Sequence, residues 1–332
     1  MSNAGVLFLA ERRDQGLAKM TAELVTAGRT IAEQLGEELV AVLVGVDLAG
    51  SARELVGLGV PKVYVIDDPM FARYGAEPYV ALMTQLCAEV RPRVVLMGHT
   101  DVGRDLAPRL AFKLGTGMVP NCVHIDVDAA SGELQMTRPV FGGKAHGLYT
   151  LADASQPQIV TVGQKVFDPA VADAGHAGAV LSFTPAIDAA AIRTAVVERV
   201  EDATEGIKLE DASVIVSGGR GVGSAEGFAQ LKELATVLGG CLGASRAPVD
   251  SGLVPSNLQV GLTGTVVSPS VYIAVGISGA AQHMAGCSSA RTIIAVNRDP
   301  EAPIFQRAHF GAVADWKEIV PSLTQKCRAL LG

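Results

Sequence analysis

Short runs rich in Val, Ile and Leu alternate with longer segments of helical spacing along most of this chain, and that alternation leaves few folds open. Val6–Leu9, Leu39–Gly45, Lys62–Ile66 and Val94–Gly98 read as strands, and the segments near 17–35, 50–58, 77–90 and 103–114 read as helices. Strands this uniformly apolar are buried on both faces, as happens when helical crossovers cover a parallel sheet from each side. The fold class is therefore α/β.

Beyond residue 116 the rhythm changes. His124–Asp128, Leu134–Thr137 and Ile159–Val162 look like antiparallel additions joined by turns such as Ala130-Ser131-Gly132. Residues 168–210 carry little periodic signal beyond a strand at 194–200, and they are read as the inter-domain linker region. A chain of 332 residues exceeds one typical domain. The reading gives an N-terminal, mainly parallel α/β domain over 1–205 and a C-terminal doubly wound domain over 206–332. In the second, strands are expected at Ser213–Ser217, Cys241–Ala244, Val271–Gly276, Thr292–Val296 and Gly311–Ala314. A helix over 225–238 ends at Gly239-Gly240, as helix C-termini prefer, and residues 316–331 form a closing helix.

Bulk properties exclude several function classes. The net charge is -7 and no stretch is rich in Lys and Arg, so the chain offers no basic footprint for nucleic acid. No apolar run reaches the ~18 residues that a membrane span needs. The first apolar run meets Glu11-Arg12-Arg13-Asp14 with no positive charge before it, so it is read as a buried strand rather than a signal peptide. The five cysteines are scattered without a C-x-x-C pair, which suits reduced thiols in a cytoplasmic protein, or in the mitochondrial matrix had a transit peptide been removed. The six histidines never stand at i, i+4, and no metal site is expected.

The chemistry gathers just past the strands of the second domain. Gly219-Arg220-Gly221 follows the first, Ser245-Arg246 the second, and Gly276-Ile277-Ser278-Gly279-Ala280-Ala281-Gln282-His283 the third. Asn297 follows the fourth and Asp315 the fifth. In a parallel sheet these ends share one edge, where open α/β sheets bind ligands. Helix starts beyond Gly223 and Gly279 offer N–H groups to phosphate, and Arg220 or Arg246 can neutralise a pyrophosphate. The loop Gly218–Gly223 lacks the acid that Rossmann enzymes place at the end of the next strand. Residue chemistry by itself leaves both FAD and NAD open.

Val271-Tyr-Ile-Ala-Val-Gly-Ile-Ser-Gly-Ala-Ala-Gln-His-Met-Ala-Gly286 closely resembles the signature of the electron transfer flavoprotein α-subunit family. Gly243–Gly252 upstream and Asn297–Gln306 downstream agree, and the match extends over about 207–330. The first domain resembles the family more loosely, best at Gly103–Leu110 and Arg138–Gly143. The resemblance implies a heterodimer with a β subunit and FAD held mainly by the second domain. Carried over by position, it places Arg220, Ser245 and Arg246 at the cofactor phosphates and flavin. It makes Gln259, Gly261, Leu262, Thr263 and Gly264 the loop beside the flavin, and Ser278, Gly279, Ala280, Gln282 and His283 a helix-start contact. Asn297 and Asp315 fall toward the adenosine end. A donor from His283, the field of Arg246 and the Thr263 hydroxyl at flavin N5 would then tune one-electron reduction. No residue is expected to act as a catalytic acid, base or nucleophile.

Two departures stand out. The family usually reads Gly-Gln-Thr-Gly where this chain has Gly261-Leu262-Thr263-Gly264, and its frequent Arg-Pro after the strand near 160 is replaced by Gly163-Gln164-Lys165. The implied role is an electron carrier between an acyl-CoA-type or other flavoprotein dehydrogenase and an acceptor. A bifurcating complex with a second FAD in the β subunit, an NAD-dependent oxidoreductase and a nucleotide-sensing module are the alternatives.

Overall fold

The computed structural model describes residues 3–13, 16–141, 143, 145–152, 157–173, 175–198 and 208–331. Contacts divide the chain into two units, Met1–Val140 with His146–Val200, and Phe141–Ala145 with Glu201–Gly332. The expected boundary at 205/206 lies outside the described residues.

In the first unit, β1 (Val6–Ala10), α1 (Lys19–Leu35), β2 (Leu39–Gly45), α2 (Ala49–Gly57), β3 (Lys62–Asp67), α3 (Ala76–Val90), β4 (Val94–Gly98) and α4 (Asp101–Leu114) follow the predicted alternation. After them come β5 (Met118–Cys122), β6 (His124–Val127), β7 (Leu134–Val140), β8 (Ala145–Tyr149), β9 (Gln158–Val162) and β10 (Ala179–Ser182). The main sheet runs β10-β3-β2-β1-β4-β9-β5, and every neighbouring pair is parallel. Along β1 the side chains divide by the strand's period of two. Val6, Phe8 and Ala10 pack with Leu24, Ile31 and Leu55 from α1 and α2, while Leu7 and Leu9 pack with Leu82, Leu86, Leu106 and Leu110 from α3 and α4. Helix α4 begins two residues before the predicted start because Thr100 caps it, its hydroxyl accepting from the Gly103 amide at 3.1 Å.

Three expectations change here. The 159–162 strand is not an antiparallel addition. It lies between β4 and β5, parallel to both, and all five residues of β9 are buried, which is why the run lacks polar alternation. Strands β5, β8 and β10 escaped the reading, β8 and β10 being mostly or wholly exposed and short. The strand at 194–200 is absent over 194–198, and 199–200 lie outside the described residues. There the Glu77 carboxylate holds the chain by accepting from the Arg193 and Thr194 amides at 2.7 and 3.1 Å. The pairing of β6 with β7 is antiparallel, as expected, with His124 opposite Thr137.

The second unit contains β11 (Val214–Gly218), α5 (Ala225–Val237), β12 (Cys241–Ala244), α6 (Arg246–Asp250), β13 (Val271–Val275), α7 (Ala281–Met284), β14 (Thr292–Asn297), β15 (Phe310–Val313) and α8 (Trp316–Leu331). Its sheet is wholly parallel in the order β12-β11-β13-β14-β15. One face packs Ile215, Tyr272, Ala274 and Ile293 with Met284 of α7, and the other packs Val216, Ile273 and Val275 against Phe228, Leu231 and Trp316. This is the doubly wound sheet that the apolar runs predict.

Candidate functional site

Counted within its own unit, the second sheet runs second, first, third, fourth, fifth strand. The chain leaves β11 toward one side for β12 and then returns to the other side for β13. Loops on opposite sides therefore diverge above β11 and β13, and such a reversal is where open α/β sheets form their ligand crevice.

The two loops flanking this point touch through bare backbone. The Gly219 amide donates to the Val275 carbonyl at 2.8 Å, and the Gly221 amide to the Gly276 carbonyl at 3.1 Å. A Cβ on Gly219 would stand 2.2 Å from the Gly276 oxygen, so this approach requires glycine. Gly279 adopts φ +87, and a Cβ there would stand 2.3 Å from the Ile304 nitrogen. Asn297 fastens the same loop from the next strand, donating from Nδ2 to the Ile277 carbonyl at 3.0 Å. The Ile304 amide closes it by donating to the Ser278 carbonyl at 3.0 Å. Among the described residues, nothing accepts from the amides of Ser278, Gly279 and Ala280. A held loop with unspent N–H groups is suited to an anionic ligand. Helix α7 beyond it is a single turn, so its macrodipole adds little to these individual amides.

Residues 259–265 form a second wall. The Val260 amide donates to the Ala244 carbonyl at 2.8 Å, fixing the loop beside the end of β12. The Leu262 amide donates to the Gln282 carbonyl at 2.8 Å, joining the loop to α7. That N–H is thus spent within the protein, and Leu262 is 64% exposed. Gly261 lies against Gly286, where a Cβ would come within 2.4 Å of the Gly261 backbone. Gln259 donates from Nε2 to the Thr263 hydroxyl oxygen at 3.1 Å.

His283 is buried under this loop. Its Nδ1 is 3.0 Å from the Val260 carbonyl and its Nε2 is 2.9 Å from the Tyr272 hydroxyl. A carbonyl only accepts, so Nδ1 carries the ring proton, and Nε2 accepts from the phenol. Burial pushes the imidazole down to about 4, opposed by the Val260 bond, so the ring is neutral near pH 7. Held this way it has no second N–H to give a ligand, and what it visibly does is tie the 259–265 loop to β13. Sequence reasoning named His283 but missed Tyr272, whose place in an apolar strand gave no sign that its hydroxyl would meet a ring nitrogen 11 positions further along the chain.

The cationic groups stand at the ends of β11 and β12. The exposed Arg220 opens a 3-10 turn, and Arg246 is the first residue of α6, with Nε 3.1 Å from Asp250. That one bond leaves most of the Arg246 guanidinium donors uncommitted. The Ser245 amide is spent on the Gly218 carbonyl at 2.9 Å, while its hydroxyl does not cap α6. The Asp315 carboxylate accepts from the Lys317 amide at 3.0 Å, capping α8. The structure thus joins the 259–265 loop to α7 through Leu262 on Gln282 and Val260 on His283, with Gly261, Thr263 and Gly264 in the same loop, and it joins Asn297 to the 276–280 loop. Arg220, Arg246 and Asp315 share the edge without bonds to those groups.

Residues 6–203 match the electron transfer flavoprotein domain, and residues 208–288 match the electron transfer flavoprotein FAD-binding domain. The chain belongs to the electron transfer flavoprotein α-subunit family. It is similar to electron transfer flavoprotein subunit alpha of Thermoanaerobacterium thermosaccharolyticum, 41% identical over 325 residues and covering 98% of each chain. The same-named protein of Megasphaera elsdenii is 40% identical over 330 residues, covering 99% of this chain and 97% of that one. Acryloyl-CoA reductase electron transfer subunit beta of Anaerotignum propionicum is 36% identical over 346 residues, covering 96% of this chain and 94% of its own. Both domains of this chain therefore fall within one flavoprotein family. No helix among the described residues is long and apolar enough to cross a membrane.

Proposed function

We propose that this chain binds FAD at the edge above β11 and β13 and works, paired with a β subunit, as the cofactor-carrying half of an electron carrier. The observation that carries the reading is the Ser278–Ala280 amide row, held open at the strand-order reversal of the matched flavoprotein domain. The donor set suits a dinucleotide. Backbone amides and the guanidinium groups of Arg220 and Arg246 would take the pyrophosphate, and the Ser245 and Ser278 hydroxyls would add neutral donors. Gly261, Leu262 and Thr263 would meet the flavin ring, with one apolar side chain and one hydroxyl for a ring that is itself part apolar and part polar. Asn297 and Asp315 would stand toward the adenosine.

Bound FAD supplies the one-electron chemistry that no side chain here provides. The protein's share is to orient the ring, exclude water and set the hydrogen bonds around it. Electrons would arrive from a flavoprotein dehydrogenase, of which the acyl-CoA type is one class, and leave to a separate acceptor. The test is a flavin count on the chain co-expressed with its β subunit, by visible absorbance and by analysis of the extracted nucleotide. One FAD per heterodimer is the expected result, and two would assign the pair to the bifurcating type. Protein without flavin absorbance after FAD reconstitution overturns the reading, and stoichiometric NAD would replace it.

A further inference from the structure

The sequence reads residues 168–210 as linker, yet the stretch up to Thr194 is tied to the first domain at one point after another. The Ala170 amide donates to the Ala22 carbonyl at 3.0 Å, and the Asp173 amide to the Gly57 carbonyl at 2.8 Å. Strand β10 then pairs with β3. Beyond it the Phe183 amide donates to the Val65 carbonyl at 3.0 Å, and the Phe183 ring meets Tyr64 edge-on with centroids 6.4 Å apart. The stretch is a strap laid over the domain.

Past Phe183 the strap has little apolar surface to hold it. Ile187 and Ile192 are partly buried, and the rest of 188–198 is exposed. Two polar side chains of α3, about two turns apart, do the holding instead. Gln85 grips Ala186 twice, donating from Nε2 to its carbonyl at 2.9 Å and accepting from its amide on Oε1 at 2.8 Å. Glu77, in the first turn of α3, gathers a larger set. Its Oε2 accepts from the Arg193 amide at 2.7 Å, the Thr194 amide at 3.1 Å and the Thr194 hydroxyl at 3.2 Å. Its Oε1 accepts from Arg193 Nε at 3.0 Å, with Nη2 at 2.9 Å. A carboxylate on a helix surface normally faces water, and one that takes two consecutive backbone amides is fixing a course of chain. Strap and helix belong to the same unit.

We propose that Glu77 is the terminal anchor of this strap, so that the connection to the second domain starts at Thr194, and that without this one carboxylate the anchor retreats to Gln85 on Ala186. The second domain is next described from Lys208. With the anchor at Thr194 the connection spans at most roughly 45 Å, and with the anchor at Ala186 roughly 70 Å, at the reach of an extended chain. Glu77 therefore sets how far apart the two ends of the connection can be drawn. Nothing in this depends on what the second domain binds.

The experiment is hydrogen–deuterium exchange on the chain co-expressed with its β subunit, read on peptides covering 183–198. Wild type, Glu77→Ala, Gln85→Ala and the double variant are compared. Glu77→Ala should speed exchange of the Arg193 and Thr194 amides by at least about tenfold, the factor that a hydrogen bond to a charged group supplies, and leave Ala186 unchanged. Gln85→Ala should speed Ala186 and leave 193–194 protected. The double variant should release the whole of 184–198. Trypsin gives a second reading. The Arg193 side chain is 85% exposed and open to the protease, so cleavage after it reports whether the backbone is held. Cleavage should be slow in wild type and at least about tenfold faster in Glu77→Ala.

Exchange at 193–194 that is as fast in wild type as in Glu77→Ala overturns the inference, and so does equal cleavage after Arg193. Release of Ala186 by Glu77→Ala alone overturns the retreat to Gln85. Should Glu77→Ala unfold the first domain, Glu77→Gln decides by the same exchange, since it keeps the size of the side chain and one acceptor oxygen. A selective rise at 193–194 then supports the anchor, and no rise contradicts it.

Discussion

The Tyr272 phenol donates to His283 Nε2 across 2.9 Å, and with the Val260 carbonyl on Nδ1 it fixes the tautomer of the ring. A histidine held neutral by burial makes the second domain sensitive to acid. Its folded value is about 4 against an ordinary 6.5. Above pH 6.5 the ring is neutral whether the chain is folded or not, and its packing contributes in full. As pH falls from 6.5 toward 4 the unfolded chain binds the proton first, and stability is lost on the order of 3 kcal/mol. Trp316, the single tryptophan, lies in this domain with Nε1 3.1 Å from the Gly221 carbonyl. Its fluorescence in urea titrations between pH 4 and 6.5 is expected to show that slope, and His283→Gln should flatten it.

Tyr272→Phe removes the hydroxyl but keeps the ring that fills the core. The buried Nε2 loses its donor, and the second domain should lose about 1–3 kcal/mol at neutral pH. The imidazole should also become more basic, since the phenol no longer occupies its lone pair. Urea midpoints read by Trp316 and proton NMR titration of His283 check the two parts separately.

Gly279→Ala tests the loop at the strand-order reversal. The residue sits at φ +87 with the Ile304 backbone against its open side. A methyl group there meets both an unfavourable backbone region, costing roughly 1–2 kcal/mol, and a direct clash. The loop must move, and FAD affinity should fall by at least about tenfold, a change of 1.4 kcal/mol. Flavin fluorescence quenching on titration into the flavin-stripped heterodimer measures it.

Arg246→Ala should separate binding from stability. The exposed pair with Asp250 is an i, i+4 contact on a short helix, worth at most about 0.5 kcal/mol. Melting of the flavin-free protein should therefore change little. The affinity for FAD should fall by about tenfold or more, and the loss should shrink as salt is raised, since a charged contact is screened. Equal affinities at low salt would remove Arg246 from the site.

Much of this was legible in the sequence because the relevant physics is local. Uniformly apolar runs such as Val271–Val275 declare strands buried on both faces, and their C-terminal ends declare where polar residues must gather. Gly219, Gly276 and Gly279 could be suspected from their positions, since close backbone approach has few other solutions. What stayed hidden depends on register between distant segments. The apolar run at 159–162 is the same string whether it pairs parallel or antiparallel, and only its burial between β4 and β5 decides. The bonds from Tyr272 to His283 and from Gln259 to Thr263 likewise depend on how a strand, a loop and a single helical turn meet. The exposed strand β10 left no trace because nothing apolar had to be buried on it.

FAD is proposed to lie across the reversal between β11 and β13. A crystal structure of the FAD-loaded heterodimer would locate the cofactor. The pyrophosphate is expected against the Ser278–Ala280 amides and the flavin ring against Gly261–Thr263. FAD bound instead at the sheet edge of the first domain, with the 276–280 loop free of phosphate, would contradict it.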